Sequence, residues 1–160
     1  MYNLIACVNK KGLLGQENDL YANSTKDLYY FSQITKGYSK QNIVVMGYNT
    51  WKSLPYKPLK DRYNIVITRN HTIADTCCLD SLDKVFPYVE TMKGNFEEVF
   101  IIGGASIYKQ CLDNYSDLLN KMYITEIDDD WIGDEYSKYF HYENILDKIT
   151  IIKESTEKCE

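Results

Sequence analysis

The sequence predicts an α/β domain, with a mostly parallel central sheet and helices on both of its faces. Three observations predict it. Short runs dense in Val and Ile recur along the chain, as buried strands do. Helix-like segments lie between them, and strands that alternate with helices need crossover connections, which make a sheet parallel. Composition agrees, at 44% hydrophobic and 26% charged, which excludes wholesale disorder. The 160 residues read as one domain, 1–160. That length suffices to bury about 68–70% of an extended chain's surface without a metal or disulfide staple.

The elements follow in order. Leu4–Val8 is an apolar run and reads as the first strand. A helix is predicted near 25–36, where Ser24-Thr25-Lys26-Asp27 has capping-box spacing. Ile43–Met46 is the second strand run, closed by Gly47 and followed by a short helix at 49–54, with Asn49 as its capping-type residue. Ile65–Ile67 ends in Thr68-Arg69-Asn70, and a helix follows at 81–92. Val99–Ile102 runs into Gly103-Gly104 and a helix at 105–112. Met122–Ile127 and Ile149–Ile152 complete the strand runs.

Charge and cysteine content narrow the function classes. A net charge of −5 argues against a nucleic-acid or anionic-membrane binder, which carries a basic excess. The charge is uneven, because the stretch from Lys36 to His71 holds seven bases and one acid, a local +6. Such a stretch can focus an anionic small molecule, although a solvated face is the plainer reading. The six carboxylates between Glu126 and Glu135 read as solvated. Five cysteines without a C-x-x-C pair, and only two histidines, give no zinc pattern. They suggest free thiols in a reducing compartment. Met1-Tyr2-Asn3 opens without a signal-peptide pattern, and no apolar run approaches the ~18 residues of a membrane span. A cytoplasmic location is the expectation.

In a parallel sheet, ligands bind beyond the carboxyl ends of the strands, and three such ends stand out. Gly103-Gly104 permits a tight turn and close ligand approach, and the helix behind it offers unpaired N–H groups to an anion. A tight turn with no ligand explains a lone Gly-Gly equally well, and a full G-x-G-x-x-G is absent. Gly47 followed by Asn49-Thr50 repeats the arrangement, and Arg69 places a guanidinium suited to phosphate at the third end. Together they favour a ligand with several phosphates. Asp27 is the remaining oddity. It is four residues from Phe31 on an apolar stripe flanked by Leu28 and Ile34. One reading makes it a helix cap. The other makes it a buried acid that holds a ligand with adjacent N–H donors, such as an amidine-like edge.

Taken together, these residues resemble the dihydrofolate reductase family, alone or as the reductase part of a fused dihydrofolate reductase–thymidylate synthase. The resemblance rests on Leu4-Ile5-Ala6, Leu14-Gly15, Glu17-Asn18 and Asp27-Leu28 with Phe31. Val45-Met46-Gly47, Thr50-Trp51, Ser53-Leu54 and Pro58-Leu59 with Arg62 continue it. Ile102-Gly103-Gly104 with Tyr108, Tyr123-Ile124-Thr125, Ile127-Asp128 and Gly133-Asp134 complete it.

The resemblance implies NADPH-dependent reduction of 7,8-dihydrofolate to tetrahydrofolate. On that analogy Asp27, Tyr108 and Thr125 are catalytic, with Asp27 gripping the pterin edge and promoting protonation of N5. Ile5, Ala6, Leu28, Phe31, Leu54, Arg62 and Ile102 bind substrate, Arg62 at the glutamate α-carboxylate. Cys7, Leu14, Gly15, Asn18, Gly47, Asn49, Thr50, Thr68, Arg69, Gly103, Gly104, Ala105, Ser106 and Ile107 bind NADPH. Tyr108 also faces the nicotinamide. Asn9–Ser24 is a lid that Gly133-Asp134 holds closed. The implied partner is the small-molecule substrate, with no nucleic acid and no membrane.

Departures from the family pattern are Tyr21-Ala22 where the family has Pro-Trp, Tyr48 where it has Arg or Lys, and Glu135 where it has a small residue. After Ile149–Ile152 the tail is polar, so the family's last antiparallel strand is expected to be missing, supplied by a partner, or lost from a longer fused polypeptide. A monomer is expected unless that edge pairs with another chain. A catalytically impaired folate- or NADPH-binding protein, and a riboflavin-pathway pyrimidine reductase, stay open as alternatives.

Overall fold

A computed structural model of the chain describes residues 1–16, 19–20, 25–134 and 137–141. The strands are β1 (Tyr2–Asn9), β2 (Gly15–Gln16), β3 (Asp19–Leu20), β4 (Asn42–Gly47), β5 (Arg62–Ile67), β6 (Cys77–Leu79), β7 (Val99–Ile101) and β8 (Leu119–Ile127). The helices are α1 (Thr25–Thr35), α2 (Tyr48–Ser53), α3 (Val85–Thr91) and α4 (Ala105–Asn114). Among the described residues, six strands form one sheet in the order β6-β5-β4-β7-β1-β8, and every pairing in it is parallel. The α/β architecture is therefore the one the sequence predicts.

Alternation along each strand divides the core between the two faces. Leu4, Ala6, Val8, Ile43, Val45 and Ile101 pack with Val85 and Val89 of α3 and with Ile107, Tyr108 and Cys111 of α4. Ile5, Val44, Met46, Val66, Phe100 and Ile102 pack with Trp51 of α2, and Phe31 and Ile34 of α1 border them. Helices thus cover both faces, which is why these strands read as continuous apolar runs.

Three features go beyond the sequence reading. β6 is a three-residue, half-buried edge strand, too short to give a periodic signal. The β2–β3 pair is a small antiparallel ladder inside the expected lid. The helix expected at 81–92 is divided into a 3-10 turn at Leu82–Lys84 and α3, with Pro87 in the first turn of α3, where a missing N–H is tolerated. The strand expected at Ile149–Ile152 lies outside the described residues.

The order of the strands creates the site. From β1 the chain passes to β4, β5 and β6, then returns to lay β7 between β4 and β1. β7 is short, and its pairing with β1 stops at Leu4↔Ile101 while β1 runs on to Asn9. A gap therefore opens between β1 and the Gly103-Gly104 turn, at the carboxyl edge where such sheets bind ligands.

Candidate active site

Tyr108 spans the gap between β1 and β7. Its hydroxyl lies 2.7 Å from the Ile5 carbonyl and 2.9 Å from that of Ile102, two acceptors left over where the ladder stops. One proton serves both. Burial raises the Tyr108 pKa above its usual value, with smaller contributions from Cys7 and Asp27, so the hydroxyl remains a donor.

Asp27 sits beside this gap. It is the third residue of α1 and only 8% exposed. Burial pushes its carboxyl up to about 6, against an opposing hydrogen bond from the Cys7 thiol. The buried-acid reading therefore describes the side chain; Ser24, the other half of the capping box, lies outside the described residues. Cys7 is buried on β1 and is paired in register with Thr125 of β8, which is half-buried. Ile5, Cys7, Asp27, Ile102, Tyr108 and Thr125 thus share one neighbourhood. Ala6 turns its side chain to the α4 face instead.

The same face of α1 continues from Asp27 through Phe31 to Thr35, four residues at a time, a span of roughly 12 Å. Arg62 stands at the far end. Its Nη1 donates to Thr35 Oγ1 at 2.9 Å, its Nε donates to the Lys60 carbonyl at 2.9 Å, and its guanidinium lies 5.7 Å from the Phe31 ring centre. Thr35 is itself fixed, since its hydroxyl donates to the Phe31 carbonyl at 2.8 Å. Burial lowers the Arg62 pKa, partly opposed by Asp61, and none of the ion pairs among the described residues uses Arg62. The result is a row with a buried acid at one end and an oriented guanidinium at the other, Phe31 between them, with Phe31 and Leu54 both packed on the same core. Leu28 follows Asp27 and is half-buried.

Glycines make a second cradle on the other side of the gap. The Gly47 N–H donates to the Gly103 carbonyl at 2.8 Å. A Cβ at Gly47 would lie 3.3 Å from Ile107, one at Gly104 would lie 3.2 Å from Thr50 Oγ1, and one at Gly103 would lie 3.0 Å from the Tyr108 hydroxyl. Gly103 also has φ +121, a region where other residues are strained. Gly104 occupies the N-cap of α4 without a side-chain cap, so the first N–H groups of α4, near Ala105, exposed Ser106 and Ile107, remain for a ligand. Asn49 does not open α2 as a cap. Gly47, in extended backbone, holds the N-cap, and Asn49 is the second helical residue and exposed.

Further along this edge, the Thr68 N–H bonds the Leu79 carbonyl at 2.8 Å, and Arg69 is exposed. Leu14 is buried against the α4-side core, and Gly15 opens β2. Asn18, Tyr21-Ala22 and Glu135 lie outside the described residues.

Sequence reasoning missed Thr35, His71, Asn9 and Phe140, and the ring contact that Tyr48 makes. Thr35 orients Arg62, and its signal was its place eight residues from Asp27. Tyr48 and His71 stack with ring centres 3.7 Å apart, and His71 Nδ1 lies 3.1 Å from Thr68 Oγ1. Asn9 holds the turn after β1: its Oδ1 accepts from the Lys11 and Leu13 N–H groups, and its Nδ2 donates to the Trp131 carbonyl at 2.9 Å. Phe140 packs on Tyr108 with ring centres 4.6 Å apart, while its N–H bonds the Gly12 carbonyl. The start of the expected lid, residues 9–14, is thus bonded to Trp131 and to 138–140.

Comparison with known proteins decides the family, because the profile described as "Dihydrofolate reductase" matches residues 1–157. This chain belongs to the dihydrofolate reductase family. Two relatives carry that name alone. The dihydrofolate reductase of Buchnera aphidicola is 35% identical, over 91% of this chain and 86% of its own. That of Heliothis virescens is 33% identical, over 78% of this chain and 72% of its own. The bifunctional dihydrofolate reductase-thymidylate synthase of Plasmodium vinckei is 40% identical over 54% of this chain. The match spans half the length of that relative, and 17% of the corresponding Plasmodium chabaudi protein. For a dihydrofolate reductase family chain, the parallel sheet, the acid on α1 and the glycine turn after β7 form one consistent set. Among the described residues no helix is long and apolar enough to cross a membrane, and no group of side chains suits a metal ion.

Proposed function

We propose that the chain is the catalyst of an NADPH-dependent reduction of 7,8-dihydrofolate to tetrahydrofolate, the reduction on which thymidylate and one-carbon metabolism draw. The row from Asp27 to Arg62 carries the reading. Its two ends offer what a pterin–glutamate molecule needs: a carboxyl for adjacent N–H donors, and roughly 12 Å away a guanidinium for a carboxylate. That pairing of acid and guanidinium suits a pterin edge and a glutamate carboxylate, which argues against a riboflavin-pathway pyrimidine as the substrate.

Asp27 holds the pterin edge. With its carboxyl up at about 6, it exchanges a proton near neutral pH, as an acid that promotes protonation at N5 must. The Ile5 and Ile102 carbonyls, joined by the Tyr108 hydroxyl, accept from the ring's polar edge, and Thr125 supports the acid from β8. Phe31, Leu28 and Leu54 cover the ring system and the benzoyl group. Arg62 arrives already oriented by Thr35 and Lys60, so little side-chain freedom is lost when it takes the glutamate carboxylate.

The glycine cradle fits a dinucleotide, since the Cβ atoms it lacks would fill it. Gly47, Thr50 and Gly103–Ile107 would hold the pyrophosphate and its neighbours, Asn49, Thr68 and Arg69 the adenosine-phosphate half, and Cys7, Leu14, Gly15 and Asn18 the nicotinamide side. When bound, the reduced nicotinamide supplies the hydride that adds at pterin C6. The test is direct: mix the protein with NADPH and dihydrofolate and follow loss of NADPH absorbance. Steady turnover is expected; a folded sample that binds both ligands without turnover would instead be the impaired binding protein.

A further inference from the structure

The guanidinium of Arg62 takes its direction from two acceptors, the Thr35 hydroxyl and the Lys60 carbonyl. A buried asparagine stands behind each of them. Asn42, 3% exposed, opens β4 as the register neighbour of Arg62. Its Nδ2 donates to the Thr35 carbonyl at 3.0 Å, and its Oδ1 accepts from the Glu98 N–H at 2.9 Å. Asn64, 7% exposed, follows Arg62 on β5. Its Nδ2 donates to the Leu59 and Arg62 carbonyls and its Oδ1 accepts from the Leu59 N–H, all at 2.9 Å. We propose that Asn42 and Asn64 are positioning residues for Arg62, each holding in place one of the two acceptors that aim the guanidinium. The inference rests on Arg62 receiving the substrate carboxylate in the proposed reaction.

An arginine side chain has many rotamers, and bonds to acceptors remove that freedom only if the acceptors are themselves fixed. The Thr35 carbonyl belongs to the last turn of α1, where carbonyls lack helical partners. Asn42 supplies the missing donor, and so ties the end of the helix to β4 and to the residue before β7. The Lys60 carbonyl lies in the loop 59–62, which passes through Asp61 at φ +63. Asn64 bonds both ends of that loop, so one buried amide sets its shape. A guanidinium has five N–H groups, and the described residues take two of those on Arg62, one on Nε and one on Nη1. The others are left for a carboxylate, which a guanidinium binds best through two N–H groups at once.

A double-mutant cycle in the full chain tests this. Dissociation constants are measured by calorimetry for dihydrofolate and for an analogue that ends in a neutral amide in place of the glutamate. Asn42→Ala and Asn64→Ala are each expected to weaken dihydrofolate binding by about 3- to 10-fold. Affinity for the amide analogue is expected to stay within about twofold. In an Arg62→Ala background, the same changes are expected to add nothing to the loss that Arg62→Ala causes alone. Equal weakening of both ligands overturns the proposal, as does a full further loss without Arg62, since either marks a general disturbance of the fold. Unchanged dihydrofolate affinity in either Asn variant overturns it as well. Should an Ala variant fail to fold, Asn42→Gln or Asn64→Gln replaces it in the cycle, keeping an amide but moving it by one methylene. None of these measurements needs turnover. If Arg62→Ala alone leaves dihydrofolate affinity unchanged, the reading of Arg62 falls and the proposal with it. If Arg62→Ala weakens binding and the Asn variants do not, only the role of the asparagines falls.

Discussion

Replacing Asp27 by Asn should make the protein less active and, at neutral pH, relatively more stable. The carboxyl has an ordinary value of 3.8 and is raised by burial to about 6. That interval corresponds to about 3 kcal/mol of folding free energy. Between those two values the unfolded chain has released its proton while the folded one retains it. Stability therefore falls as pH rises through the window, and the full cost is present above about 6. Asn carries no such charge. Its extra N–H groups add a constant desolvation cost of about 1–3 kcal/mol, so the informative quantity is the pH dependence and not the absolute difference. Urea unfolding of both proteins at several pH values from 4 to 8, without ligands, should show the variant gaining roughly 2–3 kcal/mol on the wild type across that range. In the same variant, turnover at neutral pH should be mostly lost while NADPH binding is retained. Parallel stability curves would falsify the claim that a buried, proton-holding Asp27 costs the fold anything. Wild-type turnover would remove Asp27 from the mechanism.

Three other perturbations separate the parts of the site. Arg62→Ala should raise KM for dihydrofolate by about 10- to 100-fold, the range expected for a charge-assisted hydrogen bond, with kcat little changed; a pterin substrate lacking the glutamate should be indifferent to the substitution. Gly103→Ala places a methyl 3.0 Å from the Tyr108 hydroxyl at φ +121 and should weaken NADPH binding at least tenfold by calorimetry, and unchanged affinity would argue against the cradle. Tyr108→Phe strips the Ile5 and Ile102 carbonyls of their shared donor, which should lower stability by about 1–3 kcal/mol in urea unfolding; a loss below 0.5 kcal/mol would mean that the bridge matters little.

Much of this protein is determined by its sequence alone. Unbroken runs such as Ile43–Met46 specify strands buried on both faces, since no polar side exists for them to present to water. The glycines at 47, 103 and 104 mark strand ends where a Cβ has no room. Asp27 on an apolar stripe was visible as an oddity, but its two readings could not be separated, because burial depends on which strand faces α1. Tertiary structure decided that. The return of the chain to insert a short β7 beside β1 opened the gap, and the gap brought Cys7, Asp27 and Tyr108 together from three elements far apart in sequence. Thr35 shows the same division: its place eight residues from Asp27 puts it on the acid's side of the helix, but only the crossover that sets β5 beside it supplies the guanidinium its hydroxyl orients. Periodicity and steric demand are local and can be read along a chain. A carboxyl's pKa and a guanidinium's direction are set by groups that the fold alone brings near.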